Sequence, residues 1–430
     1  METDVYDIDG QKVRLSIPGF PNIGTSYVGR AAAIFDSTRL ADFSAGTFMP
    51  SAIPVQGEAF HDFGSRAMLQ GSGSAAKVTL QQDDDNDLDK IRAEATFIAE
   101  DLSTSETDSF GLATRVYLQY NNLVVGITET AFADQDVTVP IFDLVGPNAT
   151  ATVLSPTGGS GQGRLSYYID PYDTGKRGLL GNVSIEMPTP EIRFVSGATI
   201  PTTFSTYSRV PDFITTLRYG DGHTYCKNAK ETYNEVWHVQ LGSVFRDLGL
   251  KNGDKSIDDN VFGWGLQLSG ATQLFTDRHP ECRDAIGFSV TVGEGIGHYI
   301  NDLHTTATGQ KTGGNDAILN GGTLEVLPAQ AYYVGYVHRW NRSWLSSVGY
   351  SHVRLDTAPG QVDKAYRWGD YTVVNLIYQR PLDVVPSSTG TPSPIKNFYT
   401  GVEYLFGRKE TVDGSTGDAH RVMFVVNFSK

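Results

Sequence analysis

"HRVMFVVNFSK", residues 420–430, alternates residue by residue. Val422, Phe424, Val426 and Phe428 fall on one face of an extended chain, and Arg421, Met423, Val425 and Asn427 fall on the other. Alternation with period two marks a β-strand with two unlike faces. This strand keeps a greasy face almost to its last residue and sets an arginine and an asparagine behind it. That pattern predicts an apolar face turned to lipid or a sister subunit, and a second face turned to a water-filled lumen.

The same pattern recurs upstream. In "NFYTGVEYLF" (397–406), Phe398, Thr400, Val402, Tyr404 and Phe406 share a face. In "YTVVNLIY" (371–378), Thr372, Val374, Leu376 and Tyr378 stand opposite Asn375. "VFGWGLQLSGA" (261–271) and "IGFSVTVG" (286–293) pair an apolar face with one of Gly, Gln, Ser and Thr. A strand buried on both faces would be apolar on both. Sixteen such strands are predicted, at 26–36, 65–80, 91–101, 110–120, 123–132, 162–170, 179–188, 213–221, 236–246, 261–271, 286–296, 331–340, 344–354, 370–379, 397–407 and 420–428. An even number suits an all-β, transmembrane antiparallel barrel.

The totals agree. The 430 residues carry a net charge of −15, which argues against a nucleic-acid partner, since phosphate backbones select basic faces. No run reaches the roughly 18–20 apolar residues of a membrane helix, but barrel strands need only about 9–11 and escape hydropathy plots. The connections alternate in length. Long pieces at 37–64, 133–161, 189–212, 247–260, 297–330 and 355–369 gather on the rim read as external, and turns such as 121–122 and 341–343 on the periplasmic rim. The connections 222–235, 272–285 and 380–396 are long for periplasmic turns. Trp237, Trp264, Trp340 and Trp344 sit in strands or beside a short turn, where interfacial girdles form. An aromatic near the C-terminus is typical of outer-membrane barrels; here Phe428 is followed by Ser429 and Lys430.

The stretches "FMPSAIPVQGE" (48–58), "HVQLGSVFRDLG" (238–249), "FGWGLQLSG" (262–270), "VGEGIGHYINDL" (292–303), "NLIYQRP" (375–381) and "GVEYLFGRKETVDGSTGDAHRVMF" (401–424) resemble, as a set, the DcaP-like family of trimeric outer-membrane porins. The resemblance is tightest from about residue 236 onward. It implies a sixteen-stranded barrel, a homotrimer in the outer-membrane lipid of a Gram-negative type cell, and diffusion of small, often anionic solutes such as dicarboxylates. It also implies an N-terminal coiled coil, for which this sequence has no heptad pattern. Residues 1–25 are read as a periplasmic segment and 26–430 as one barrel. The acidic start "METDVYDID" has no apolar core and is not read as a signal peptide.

Strand parity assigns the charges. Arg30, Arg92, Arg115, Arg164, Arg218, Arg246 and Arg421 all fall opposite an apolar face and are expected inward, as are Glu94 and Glu403. An arginine on the lipid face at the midplane costs roughly 2–4 kcal/mol, so inwardness alone is expected. Five of these arginines lie on strands 3, 4, 6, 8 and 9, one arc of wall that would guide carboxylates; the rival reading pairs them with inward carboxylates. Arg246 lies inside a stretch that carries the resemblance. The loop 133–161 is long enough to fold inward as a constriction, with Asp134, Asp136 and Asp143 opposed to the arginines across the gap. The small outward face of the first strand, Gly29, Ala31 and Ala33, suits subunit packing.

Other signals carry little chemistry. "GEGIGH" (293–298) has no clear helix after it, and "DDDNDLD" (83–89) lacks the glycine and terminal glutamate of a calcium loop. His223 and His238 stand isolated and no Cys/His spacing suits zinc, so neither metal nor cofactor is expected. No nucleophile–base pair stands out. Cys226 and Cys282 fall in turns on the periplasmic side, two strands apart, and are candidates for a disulfide. The sequence reads as a passive porin for small anionic solutes, with a plugged or adhesive barrel as the alternative.

Overall fold

The computed structural model describes residues 5–6, 12–13, 22–38, 40, 48–58, 61, 64–70, 74–82, 91–99, 113–143, 146–147, 162–169, 178–195, 204–227, 230–253, 256–276, 283–304, 315–380 and 397–429. The wall strands are β1 (Asn22–Asp36), β2 (Arg66–Gln70 continued by Ser74–Gln82), β3 (Ile91–Ala99), β4 (Ala113–Tyr120), β5 (Leu123–Thr128), β6 (Gln162–Tyr168), β7 (Gly178–Glu186) and β8 (Asp212–Lys227). They continue as β9 (Lys230–Asn252), β10 (Asp258–Leu274), β11 (Asp284–Glu294), β12 (Pro328–Arg339), β13 (Trp344–Leu355), β14 (Tyr366–Gln379), β15 (Asn397–Thr411) and β16 (Thr416–Ser429). Each pairs antiparallel with its neighbours, and β16 returns to β1 with Val422 opposite Phe35 and Asn427 opposite Arg30, closing a sixteen-stranded barrel. Closure leaves no free edge, the condition for a sheet to survive in lipid.

The two faces predicted for the last strand separate cleanly. Phe424 is 51% exposed, whereas Met423 and Val425 are fully buried. On β10, Leu266 and Leu268 face out and Gln267 and Ser269 face in. Trp237, Trp340 and Trp344 are exposed near the short-turn rim; the Trp237 ring lies 5.6 Å from Tyr219 and that of Trp344 lies 5.2 Å from Tyr378. Amphipathic rings at this height suit the headgroup layer.

Three expectations about boundaries change. β1 begins at Asn22 rather than 26. The connection expected at 222–235 is mostly strand: β8 and β9 run on to Lys227 and Lys230, in register throughout apart from one bulge at Asp221/Gly222. The connection expected at 247–260 shrinks likewise, because β9 extends to Asn252 and β10 starts at Asp258. These extensions alternate less strictly in polarity than the lipid-facing spans, so periodicity ends before pairing does.

The long connections turn into the barrel. Residues 48–58, with a short turn at Pro50–Ala52, pack Phe48, Met49 and Ile53 against Ile34, Leu405, Met423 and Val425 of the wall. The face expected to meet water at Met423 and Val425 is therefore covered by chain. Residues 296–304 and a hairpin of Ala317–Asn320 with Thr323–Val326 form a second mass, and Ile192–Phe194 joins that hairpin in parallel. Between them runs the segment after β5.

Candidate functional site

Residues 129–143 leave β5 and run along the inner wall. They lie in a groove made by absent side chains. A Cβ on Gly242 of β9 would meet the Phe132 carbonyl oxygen, and one on Gly287 of β11 would sit on that of Val137. A Cβ on Gly335 of β12 would strike Val139, and one on Gly401 of β15 would strike Phe142. Each of these glycines falls on the inward parity of its strand. At Gly287, and more loosely at Gly242, the missing side chain lets a second backbone lie against the strand, while at Gly335 and Gly401 it leaves room for the Val139 and Phe142 side chains.

Carboxylates and hydroxyls hold the segment's ends and middle. Glu186 accepts the amide N–H of Ala131 at 2.6 Å. Asp134 accepts from Ser269 Oγ at 2.7 Å and faces His238 Nε2 at 3.0 Å. The Tyr333 hydroxyl accepts the Val139 N–H at 2.9 Å. Glu403, fully buried on β15, accepts the N–H groups of Phe142 and Asp143 at 2.7 and 2.8 Å, and the Asn375 amide at 3.0 Å. Asp143 accepts the Phe48 N–H and the Tyr371 hydroxyl, tying this segment to residues 48–58. Burial pushes the Asp143 carboxyl up despite its donors. Burial pushes Asp134 the same way, but its hydrogen bond and charge contact with His238 win and hold it below the usual carboxylate range.

The predicted basic wall divides into three groups. Arg246 and Arg421 correct the expectation of a wet track. Both side chains are fully buried, Arg246 between Asp212 at 2.7 Å and Asp316 at 2.8 Å, and Arg421 on Asp36 at 2.6 Å. Arg30, also buried, donates to the Phe142 carbonyl at 2.9 Å. These three are struts. Arg164 donates to Glu129 O, Ser166 and Tyr168, and stands 4.0 Å from Glu186. Arg218, 17% exposed at its side chain, pairs with Asp136 at 2.7 Å and Asp134 at 3.5 Å. Asp134 and Asp136 thus touch an arginine rather than oppose it across a gap, and Asp143 and Glu403 hold backbone rather than line a lumen. Arg92, Glu94 and Arg115 lie in described strands, opposite Gln119, Tyr117 and Thr96; their side chains fall outside the described residues.

The partners Asp36, Asp212, Glu186 and Asp316 were missed by sequence reasoning. For Asp36 a signal was available: the parity that turns Arg30 inward also turns Asp36 inward, beside Arg421 once the barrel closes. Gly29 of the small outward face is covered within the chain, since a Cβ there would sit on the Phe428 ring. Cys226 lies in the β8 extension opposite Glu231, and Cys282 lies outside the described residues. The histidines are less isolated than expected. His238 meets Asp134, and His298 and His304 meet Glu191. Burial, then the neighbouring His298, lower the His304 pKa to about 4.

A closed sixteen-stranded barrel with an apolar outer band and chain held against its inner wall is the transmembrane fold of Gram-negative outer-membrane porins. Among solved structures it matches the outer membrane channel DcaP of Acinetobacter baumannii with a TM-score of 0.66 over 97% of this chain and 99% of that one, at 16% identity. The fold is DcaP-like. It is similar, more distantly, to OmpF of Salmonella typhi (TM-score 0.51, 9% identity, 96% and 99% covered) and to the anion-selective porin of Comamonas acidovorans (TM-score 0.50, 9% identity, 95% and 99% covered). No protein-family model and no curated protein sequence matches the chain.

Proposed function

We propose that this protein is a passive outer-membrane channel for small hydrophilic solutes with a preference for anions, working as a homotrimer. The observation that carries the reading is the lay of segment 129–143. Its anchors gather on β6–β10, β12, β14, β15 and β1, so the passage runs between this segment and the remaining wall, β2–β5. The segment acts as the constriction, within a loop 133–161. Arg92 and Arg115 stand on that wall, with Arg164 and Arg218 at its edge. Anion preference rests on these four, because a buried arginine neutralised by carboxylates, such as Arg246 or Arg421, projects little field into a lumen. Glu94, Asp134 and Asp136 weaken the preference, so it is modest. A dicarboxylate can engage two guanidinium groups at once, which a monovalent ion cannot.

The test is the reversal potential across a planar bilayer under a KCl gradient. The reading expects conductance steps in threes and an anion-selective sign, with the sign moving toward cations in Arg115→Ala/Arg218→Ala. An unchanged potential in that double variant removes the arginine role. No conductance from a folded, heat-modifiable barrel removes the channel and leaves a plugged or adhesive barrel.

A further inference from the structure

Glu191, His298 and His304 come from two separate inward segments and meet at one point. Glu191 opens the strap that leads into Ile192–Phe194, His298 sits in the short turn Gly297–Tyr299, and His304 ends the following bend. Nδ1 of His298 and Nδ1 of His304 each lie 3.2 Å from the same oxygen, Oε1 of Glu191. The two imidazole rings are 4.4 Å apart between centroids. All three residues are buried, though each keeps some contact with solvent.

Two features set this cluster apart from an incidental contact. The first is spacing. Zinc binds imidazole nitrogen and carboxylate oxygen at about 2.0–2.2 Å in a tetrahedron, whose edge is then about 3.3–3.5 Å. The nitrogen–oxygen separations lie close to that edge, while as hydrogen bonds they are at the long limit, and one oxygen would serve both rings. The second is support. The buried Asp316 carboxylate accepts the backbone N–H of Glu191 at 2.9 Å on one oxygen and that of His298 at 2.8 Å on the other. Arg246 neutralises Asp316 and donates to the Gly295 carbonyl, so the wall strand β9 holds both ligand-bearing segments in place. Such outer partners orient the ligands of a metal site.

We infer that Glu191, His298 and His304 form a binding site for a borderline divalent cation, zinc in the first instance, which staples the strap 187–195 to residues 296–304 inside the barrel. Two imidazoles and one carboxylate select zinc-like ions over magnesium or calcium, which take oxygen ligands. Three protein ligands leave one position for water. The site carries no step of solute passage; it stiffens two of the segments that fill the barrel mouth.

The experiment uses the full chain, refolded in detergent, with thiols blocked by alkylation so that Cys226 and Cys282 do not compete. Zinc is counted after gel filtration, and cobalt(II) is titrated for the visible bands of a tetrahedral site. The wild type is expected to retain one zinc per chain against excess magnesium and to develop the cobalt bands; His298→Ala/His304→Ala loses both. Glu191→Gln serves if that variant does not reach the heat-modifiable form, and weakens zinc affinity by at least about tenfold. Zinc slows amide exchange in 187–195 and 296–304 of the wild type. No retained zinc, or equal zinc in the wild type and a folded variant, overturns the site. Unchanged exchange on zinc addition overturns the staple. Neither readout depends on whether the barrel conducts.

Discussion

Glu403→Ala is the substitution that bears most directly on the held inner segment. In the wild type the Glu403 carboxylate accepts two backbone N–H groups, from Phe142 and Asp143, in a fully buried setting. Alanine leaves both donors without that acceptor. Each stranded buried donor costs about 1–3 kcal/mol, so the docked segment loses roughly 2–6 kcal/mol relative to an undocked one. At about 1.4 kcal/mol per decade, even the lower figure raises the undocked population about 30-fold. Glu403→Gln keeps one acceptor oxygen and loses about half as much. Asn375 still donates to the Pro140 carbonyl at 2.8 Å, so the segment stays attached at its middle. The assay is single-channel recording at neutral pH. Open-channel noise is expected to rise in Glu403→Ala, with Glu403→Gln between it and the wild type. Traces of Glu403→Ala indistinguishable from the wild type, from protein that still shows heat-modifiable folding, would refute the reasoning.

Three further outcomes are expected. Arg246→Met leaves Asp212 and Asp316 buried without their shared cation, a loss of about 3–5 kcal/mol, and the temperature at which the folded gel form disappears should fall; an unchanged temperature refutes the strut. Acid should loosen the inner segment only below the ordinary Asp range near about 3.9. The depressed Asp134 stabilises docking above that range and loses its contribution as pH falls through its lowered value, whereas the raised Asp143 favours docking as it gains a proton. Current noise should therefore rise only once the pH falls below the ordinary Asp range, and Asp134→Asn should abolish that acid rise. Gly29→Leu forces a side chain into the Phe428 ring and should cost about 1–3 kcal/mol in barrel closure, read as a lower folded fraction on refolding; Phe428→Ala in the same chain should restore it.

The sequence by itself determined the barrel. Side chains alternate with period two, and a one-residue slip would turn every lipid-facing residue of a strand into the lumen, so the medium on each side writes itself into each strand. That is why Val422, Phe424, Leu266 and Leu268 were legible as outward, and Arg421, Gln267 and Ser269 as inward, from the chain alone. The same rule placed the arginines on the inner side but not their partners. Arg246 and Asp212 are separated by 34 residues, Arg421 and Asp36 by 385, and Glu191 and His298 by 107, and no local period couples positions so far apart. The inward glycines at 242, 287, 335 and 401 were visible as small residues, yet small residues suit a wet wall as well as a groove. Only the closed barrel, by bringing those four strands under one crossing segment, decided that they make room for its backbone at 242 and 287 and for its side chains at 335 and 401. Lipid contact is a property of each strand and is spelled locally. The pairing of buried charges and the bed of the inner segment are properties of the assembled wall, and they exist only once the first strand has met the last.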